Sequence, residues 1–132
     1  MRFLLDTNTC IAAMRAHPKV VSRLATVTPD DCVISTITSF ELFTGVEKCA
    51  RPAEERAKVR LLLETVHELP FDAGAAREAA RIRAVLESQG QALGPFDLLI
   101  AGHALATSLT LATANMAEFQ RVPGLQLENW QA

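Results

Sequence analysis

Acidic residues in this chain fall repeatedly where apolar runs end. Phe3-Leu4-Leu5 breaks at once into Asp6-Thr7-Asn8, and Cys32-Val33-Ile34-Ser35 leads into a helical segment that carries Glu41. Gly94-Pro95-Phe96-Asp97 opens another apolar stretch, and Leu109–Thr113 gives way to Asn115 and Glu118. Ligands of open α/β sheets gather in the crevice beyond the strand carboxyl ends. Hard divalent cations, in turn, take oxygen ligands from Asp and Glu. Carboxylates set at strand ends and helix starts therefore point to metal-dependent chemistry on a phosphate ester, and the chain reads as a small nuclease.

Each acid alone has an ordinary explanation. Asp6 can end a strand, and Thr38…Glu41 has the spacing of a capping box. Asp97 falls in a first helical turn, where the helix dipole favours negative charge, and Asn115…Glu118 also has cap spacing. Together they are harder to dismiss. Asp6 follows three apolar residues, Asp97 is embedded in Phe96-Asp97-Leu98-Leu99-Ile100, and no Lys or Arg lies within ten residues of Asp97. Carboxylates in apolar surroundings cost several kcal/mol or more unless they are paired or metal-bound, and one divalent ion relieves several at once. Mg²⁺ fits best, because it binds through one or two carboxylates and keeps waters when the substrate carries phosphate. Such an ion lowers the pKa of a bound water and stabilises charge on phosphoryl oxygens. Thr7 and Asn8 are placed to orient that water or to contact phosphate.

Other catalytic systems fare poorly. His17, His67 and His103 have neither HExxH nor Cys/His zinc spacing. There is no GxSxG elbow, phosphate loop or GxGxxG fingerprint. Cys10, although close to Asp6, reads as a small buried hydrophobe.

The elements that must position these acids alternate along the chain. Strands are predicted at Arg2–Leu5, Cys32–Ser35, His67–Leu69, Leu109–Thr113 and Leu125–Glu128. Helices are predicted at Thr9–Met14 (capped by Thr7 or Asn8), Val20–Ala25, Thr38 to about Lys48, Glu54–Val66, from an Asp72 cap to about Ser88, Phe96–Thr107 and around Ala117–Phe119. This order implies a three-layer α/β/α sandwich around a mostly parallel sheet. The right-handed crossover rule then brings the strand carboxyl ends to one edge. That edge gathers Asp6, Glu41, Asp97 and the Asn115/Glu118 region.

Bulk properties agree with this reading. The 132 residues form a single domain, 1–132, with 49% hydrophobic content for a core. No apolar run approaches the roughly 20 residues that span a bilayer, and no secretory signal opens the chain. Three cysteines without CxxC spacing suit a reduced, cytoplasmic chain. A formal charge of -2 excludes a histone-like or architectural nucleic-acid binder.

The segments Phe3–Asn8, Ile34–Leu42, Gly94–Ala101 and Leu111–Phe119, with Val122-Pro123-Gly124-Leu125 and Glu128-Asn129-Trp130, resemble the PIN-domain ribonucleases and, within them, the VapC toxins of bacterial toxin–antitoxin modules. The likeness covers nearly the whole chain. It implies a PIN-like fold with Asp6, Glu41 and Asp97 as acidic metal ligands, and with Thr7 or Asn8 and Thr113 lining the site. Asn115 occupies a position where an aspartate is frequent, and Glu118 lies one turn later, so either can complete the metal shell. The resemblance further implies Mg²⁺ (or Mn²⁺) dependence, cleavage of structured RNA, often tRNA, a homodimer, and silencing by a cognate VapB antitoxin.

Two rival classes stay open at this stage. One is a metal-dependent nuclease or phosphatase acting on another phosphate ester, and the other is a non-catalytic PIN-like interaction domain whose acids merely cap helices. The stretch Lys48, Arg51, Arg56, Lys58 and Arg60, together with Arg77, Arg81 and Arg83, offers a diffuse basic surface that reads equally well as solvated helix faces. Apolar residues at Ile11, Met14, Val20, Phe43, Val46 and Leu63 are expected to leave an exposed groove for an antitoxin segment, with Glu41 near its end.

Overall fold

The computed structural model describes residues 1–132. The strands are β1 (Phe3–Leu5), β2 (Cys32–Ser35), β3 (His67–Leu69), β4 (Thr110–Ala112) and β5 (Leu127–Glu128). The helices are α1 (Thr7–Met14), α2 (Pro18–Leu24), α3 (Thr36–Lys48), α4 (Pro52–Thr65), α5 (Ala73–Ser88), α6 (Pro95–Thr107) and α7 (Met116–Phe119). A 3-10 turn at Pro29–Asp31 leads into β2.

The five strands lie in the order β3-β2-β1-β4-β5, and every pairing is parallel. The chain builds outward from β1 through β2 to β3, then returns to the other side of β1 with β4 and β5. The reversal of direction falls at the carboxyl end of β1, which is where such sheets hold their ligands. Asp6 is the next residue.

Side chains alternate across a strand, and the two faces collect separate cores. Phe3, Leu5, Cys32, Ile34 and Ala112 meet α1–α4 on one face, where Val20, Leu42, Val46, Val59 and Leu62 are buried, and Trp130 packs edge-on against Phe3. Leu4, Val33 and Leu111 meet α5–α7 on the other, with Ile82, Leu86, Ile100 and Phe119. Burial on both faces explains the continuous apolar character of the central strands. No helix is long and apolar enough to cross a membrane.

Besides α2 and α4, which begin two residues early at Pro18 and Pro52, two helices are capped by residues other than those expected. Asp6 itself, not Thr7 or Asn8, caps α1 by accepting the Thr9 N–H at 2.8 Å. Ser35 caps α3 by accepting the Ile37 N–H, so Thr38 and Glu41 lie inside the helix and form no capping box. Ser35 is the last residue of β2 and Asp6 the first after β1, so each helix follows its strand without a loop. Asp72 caps α5 as expected, accepting the Ala75 N–H at 2.9 Å. Proline opens α2, α4 and α6, where its missing N–H costs nothing.

Candidate active site

Asp6 is 3% exposed and stands at the junction of β1 and α1. Its backbone N–H continues the ladder by donating to Ala112 O of β4, and its Oδ1 is held by the α1 cap. The carboxylate is therefore fixed by sheet and helix together. Thr9 secures the same corner, donating its hydroxyl to Ala112 O at 3.0 Å.

Glu41 arrives from α3. Helical side chains tilt toward the helix N-terminus, so a residue in the second turn of α3 reaches back toward the end of β2. It meets the Thr7 hydroxyl, which donates to Glu41 Oε1 at 2.6 Å. Thr38 Oγ1 lies 3.2 Å from Thr7 Oγ1. Because an ionised carboxylate only accepts, the single Thr7 hydrogen is committed to Glu41 and the Thr38 hydroxyl must complete that second contact. The sequence reading treated Thr38 only as a cap. Its position three residues before Glu41, on the same helix face, was the available signal that it belongs beside the acid.

Asp97 lies in the first turn of α6. Burial, followed by the charges of Asp6, Glu118 and Glu41, raises its pKa from an ordinary 3.8 to about 6, and a hydrogen bond with Asn115 opposes the rise. Four carboxylates from four parts of the chain thus share one electrostatic neighbourhood. Asn115 belongs to it too: its Nδ2 donates to Glu118 Oε2 at 3.2 Å, while its own N–H is held by Thr113 Oγ1 at 2.9 Å. Thr113 is fully buried beyond β4, and Asn8 is exposed on the first turn of α1.

The acids offer oxygen donors only, and their charges repel one another. Such a set suits a hard divalent cation. No three His, Cys, Asp or Glu side chains close into a ready-made metal cage.

The raised Asp97 pKa has a signed consequence. Between about pH 4 and 6 the folded chain holds a proton that the unfolded chain has lost, so without divalent ions stability should fall as pH rises through this window. The loss is about 1–2 kcal/mol after allowing for solvent screening. Saturating Mg²⁺ should flatten the slope, because it stabilises the ionised form. Denaturant melts across pH 4–7 with and without Mg²⁺ check this, and identical slopes would contradict it.

The remaining candidates resolve into structure. His103 is buried in α6, with Nδ1 at 2.8 Å from Ser35 Oγ and its ring edge-on to Phe71. Burial lowers its pKa, against a smaller opposing effect of Asp72, which keeps the ring neutral at neutral pH. It links the helix carrying Asp97 to the cap of the helix carrying Glu41. Cys10 is fully buried, and burial, with Asp6 next, pushes its thiol well above the usual range. It is a hydrophobe there and no nucleophile. All three cysteines are free.

The basic stretches are largely spent on neighbours. Arg51 pairs with Glu54, Arg56 with Glu47, Lys58 with Glu55, Arg81 with Glu78 and Arg83 with Glu87. Of the six residues expected to leave an apolar groove, Val20 and Val46 are buried in the core, while Ile11, Met14, Phe43 and Leu63 are half-buried against it. Ile11 and Met14 also line a cavity of about 250 Å³ together with Leu42, Glu41, Arg15 and Lys58.

A parallel sheet with acids gathered at its reversal point offers a place for a divalent cation, and comparison with known proteins specifies the family. The chain belongs to the PIN-domain family, whose pattern it matches over residues 3–125, and within it to the VapC ribonucleases. It is 37% identical over 130 residues to the tRNA(fMet)-specific endonuclease VapC of Salmonella typhimurium, with 98% of each chain covered. It is 36% identical to Ribonuclease VapC2 of Rickettsia felis, again over 98% of each. In structure it resembles the DNA-bound VapBC of Salmonella typhimurium, with a TM-score of 0.94, 38% identity and 98% of each chain covered. FitAcB of Neisseria gonorrhoeae follows with a TM-score of 0.85, 30% identity and 97% of each chain.

Proposed function

We propose that this endoribonuclease is a cytoplasmic toxin that uses Mg²⁺, or Mn²⁺ in its place, to cut structured RNA of the tRNA class. A VapB-type antitoxin keeps it silent, and it works as a homodimer. The observation that supports the metal dependence is the gathering of Asp6, Glu118 and Glu41 around the half-buried Asp97, where burial first and their charges next raise that carboxyl to about 6. The Salmonella relative's name supports tRNA as the substrate class, and the VapBC complexes support the antitoxin.

Asp6, Asp97 and Glu41 are the residues that would hold the ion, with Glu118 and Asn115 completing its surroundings. When bound, a divalent cation activates water and neutralises charge developing on the phosphoryl oxygens. The chain's own residues do the positioning. The α1 cap fixes Asp6, and the Thr7 hydroxyl holds one Glu41 oxygen, leaving the other to face the site or a water. Asn115 donates its amide to Glu118 and lowers the Asp97 pKa against the effect of burial and the neighbouring acids. Thr113 sets Asn115 through its backbone N–H. Glu41 lines the same cavity as Ile11 and Met14, so an antitoxin side chain laid there, if basic, would neutralise the acids in place of the ion.

Incubating the purified chain with a tRNA(fMet) transcript tests the reading. Discrete cleavage is expected with Mg²⁺ and none with EDTA, and the neutralising partner should suppress it. Equal cleavage in EDTA would sink the metal dependence, while cleavage of single-stranded DNA in preference to any RNA would favour another phosphate ester.

A further inference from the structure

Threonines inside helices commonly turn their hydroxyls back on a carbonyl one turn earlier. Thr44, Thr65 and Thr107 do so, donating to Phe40 O at 2.8 Å, Leu61 O at 2.8 Å and His103 O at 2.7 Å. Thr38 is placed differently. It is the third residue of α3, so the carbonyl four positions back belongs to Ile34, which is still in β2. Its side chain is fully buried, and a buried hydroxyl needs a partner. That partner is on another helix: Thr38 Oγ1 lies 3.2 Å from Thr7 Oγ1 of α1. Thr7 donates in turn to Glu41 Oε1 at 2.6 Å. The hydrogen bonds thus leave α3 at Thr38, cross to α1, and return to α3 one turn later at a site acid.

We propose that Thr38 is a positioning residue for Glu41, acting through Thr7. This rests on the ribonuclease reading for what Glu41 does, and adds what holds it in place. Thr7 has one hydrogen and gives it to the carboxylate, so its oxygen is left to accept from Thr38. That bond selects the Thr7 rotamer that faces Glu41, and donation into the Thr7 oxygen polarises its O–H toward the carboxylate. Thr7 is half-buried at the start of α1, and without an anchor its hydroxyl can turn to water. Thr38 supplies that anchor from a position where water does not compete. Hydrogen-bond partners behind a metal-binding carboxylate fix its orientation, and their loss typically costs about 10- to 100-fold in metal affinity or activity.

Thr38→Val removes the hydroxyl at nearly constant shape, and Thr38→Ser keeps it. In a metal-free crystal structure of Thr38→Val, Glu41 is expected to leave Thr7 or to occupy more than one rotamer. In solution the same variant should weaken Mn²⁺ binding by calorimetry, and lower kcat on a tRNA(fMet) transcript, by about tenfold each, with KM for the RNA changed far less. Thr38→Ser should recover most of both. Because the effect passes through Thr7, the double variant Thr7→Val/Thr38→Val should bind Mn²⁺ no more weakly than Thr7→Val alone. A merely structural Thr38 would add its own loss. Thr38→Ala serves the same comparisons if the valine variant does not fold. An unchanged Thr7–Glu41 bond in the hydroxyl-free variant overturns the proposal, as does unchanged Mn²⁺ affinity. So do additive losses in the double variant, or a serine variant as impaired as valine. Failure of the ribonuclease reading shows differently: the wild type then cleaves no RNA, while the Thr38→Val structure still reports on Glu41.

Discussion

Asp97→Asn is expected to lower RNA cleavage by about a hundredfold or more while raising the melting temperature of the metal-free chain above pH 6. The two effects share one cause. In the wild type the Asp97 carboxyl is partly buried among Asp6, Glu118 and Glu41, so its ionisation is disfavoured and its pKa stands at about 6. Asparagine removes that repulsion at nearly the same shape, for a gain of about 1–2 kcal/mol after solvent screening. Against it stands the loss of a favourable charge in the first turn of α6, about 0.3–1 kcal/mol, so the net sign is stabilising. At pH 4, where the wild-type carboxyl is already protonated, the gain should vanish. Asp6→Asn should silence cleavage equally without that gain, because Asp6 also caps α1 and asparagine merely preserves the cap. Thermal melts at pH 4 and 7.5 together with cleavage rates test this. Full activity refutes the role of Asp97, and a destabilised fold at pH 7.5 makes its carboxylate structural.

Gly102→Ala should destabilise the fold markedly, although Gly45→Ala in another helix should stabilise it. Both glycines sit inside helices, where alanine is worth up to about 1 kcal/mol more than glycine. A Cβ at Gly45 meets nothing within 4 Å. A Cβ at Gly102 would come within 2.6 Å of Ala79 N and 2.7 Å of its Cα. The obstacle is backbone, so α5 and α6 must move apart. Overpacking of this kind costs about 1–3 kcal/mol or more, which exceeds the propensity gain and should lower the melting temperature by about 5–15 °C. Because α6 carries Asp97, cleavage should fall as well. An unchanged or higher melting temperature in Gly102→Ala would show that the helices separate freely.

The sequence was most legible where chemistry and periodicity coincide. Continuous apolar runs identify the buried strands, Asp72, Pro52 and Pro95 mark helix starts, Pro18 reads as a breaker although it opens α2, and the parallel topology follows from alternation. The acids at Asp6, Glu41 and Asp97 could be listed from their place after those runs. Their mutual crowding could not, because it depends on the return of the chain to the far side of β1. Helix starts at Asp6 and Ser35 were misread for a local reason: a strand that passes into a helix without a loop makes its last side chain the cap, and neighbouring Thr7, Asn8 and Thr38 carry equally good capping groups. The burial of Val20 and Val46, which narrows the apolar groove, depends on how α2 and α3 rotate over the sheet. The contact of His103 with Ser35 joins residues 68 apart, beyond the reach of any local pattern.

Calorimetric titration of Mn²⁺ into the metal-free chain at pH 7.5 tests the central claim most directly, using Mn²⁺ as the probe for the divalent site. One saturable site is expected in the wild type, lost or weakened at least tenfold in both Asp6→Asn and Asp97→Asn, and weakened in the wild type at pH 5, where Asp97 is largely protonated. Binding of equal affinity in the wild type and both variants would contradict the account, since the acids at the end of β1 would then hold no ion.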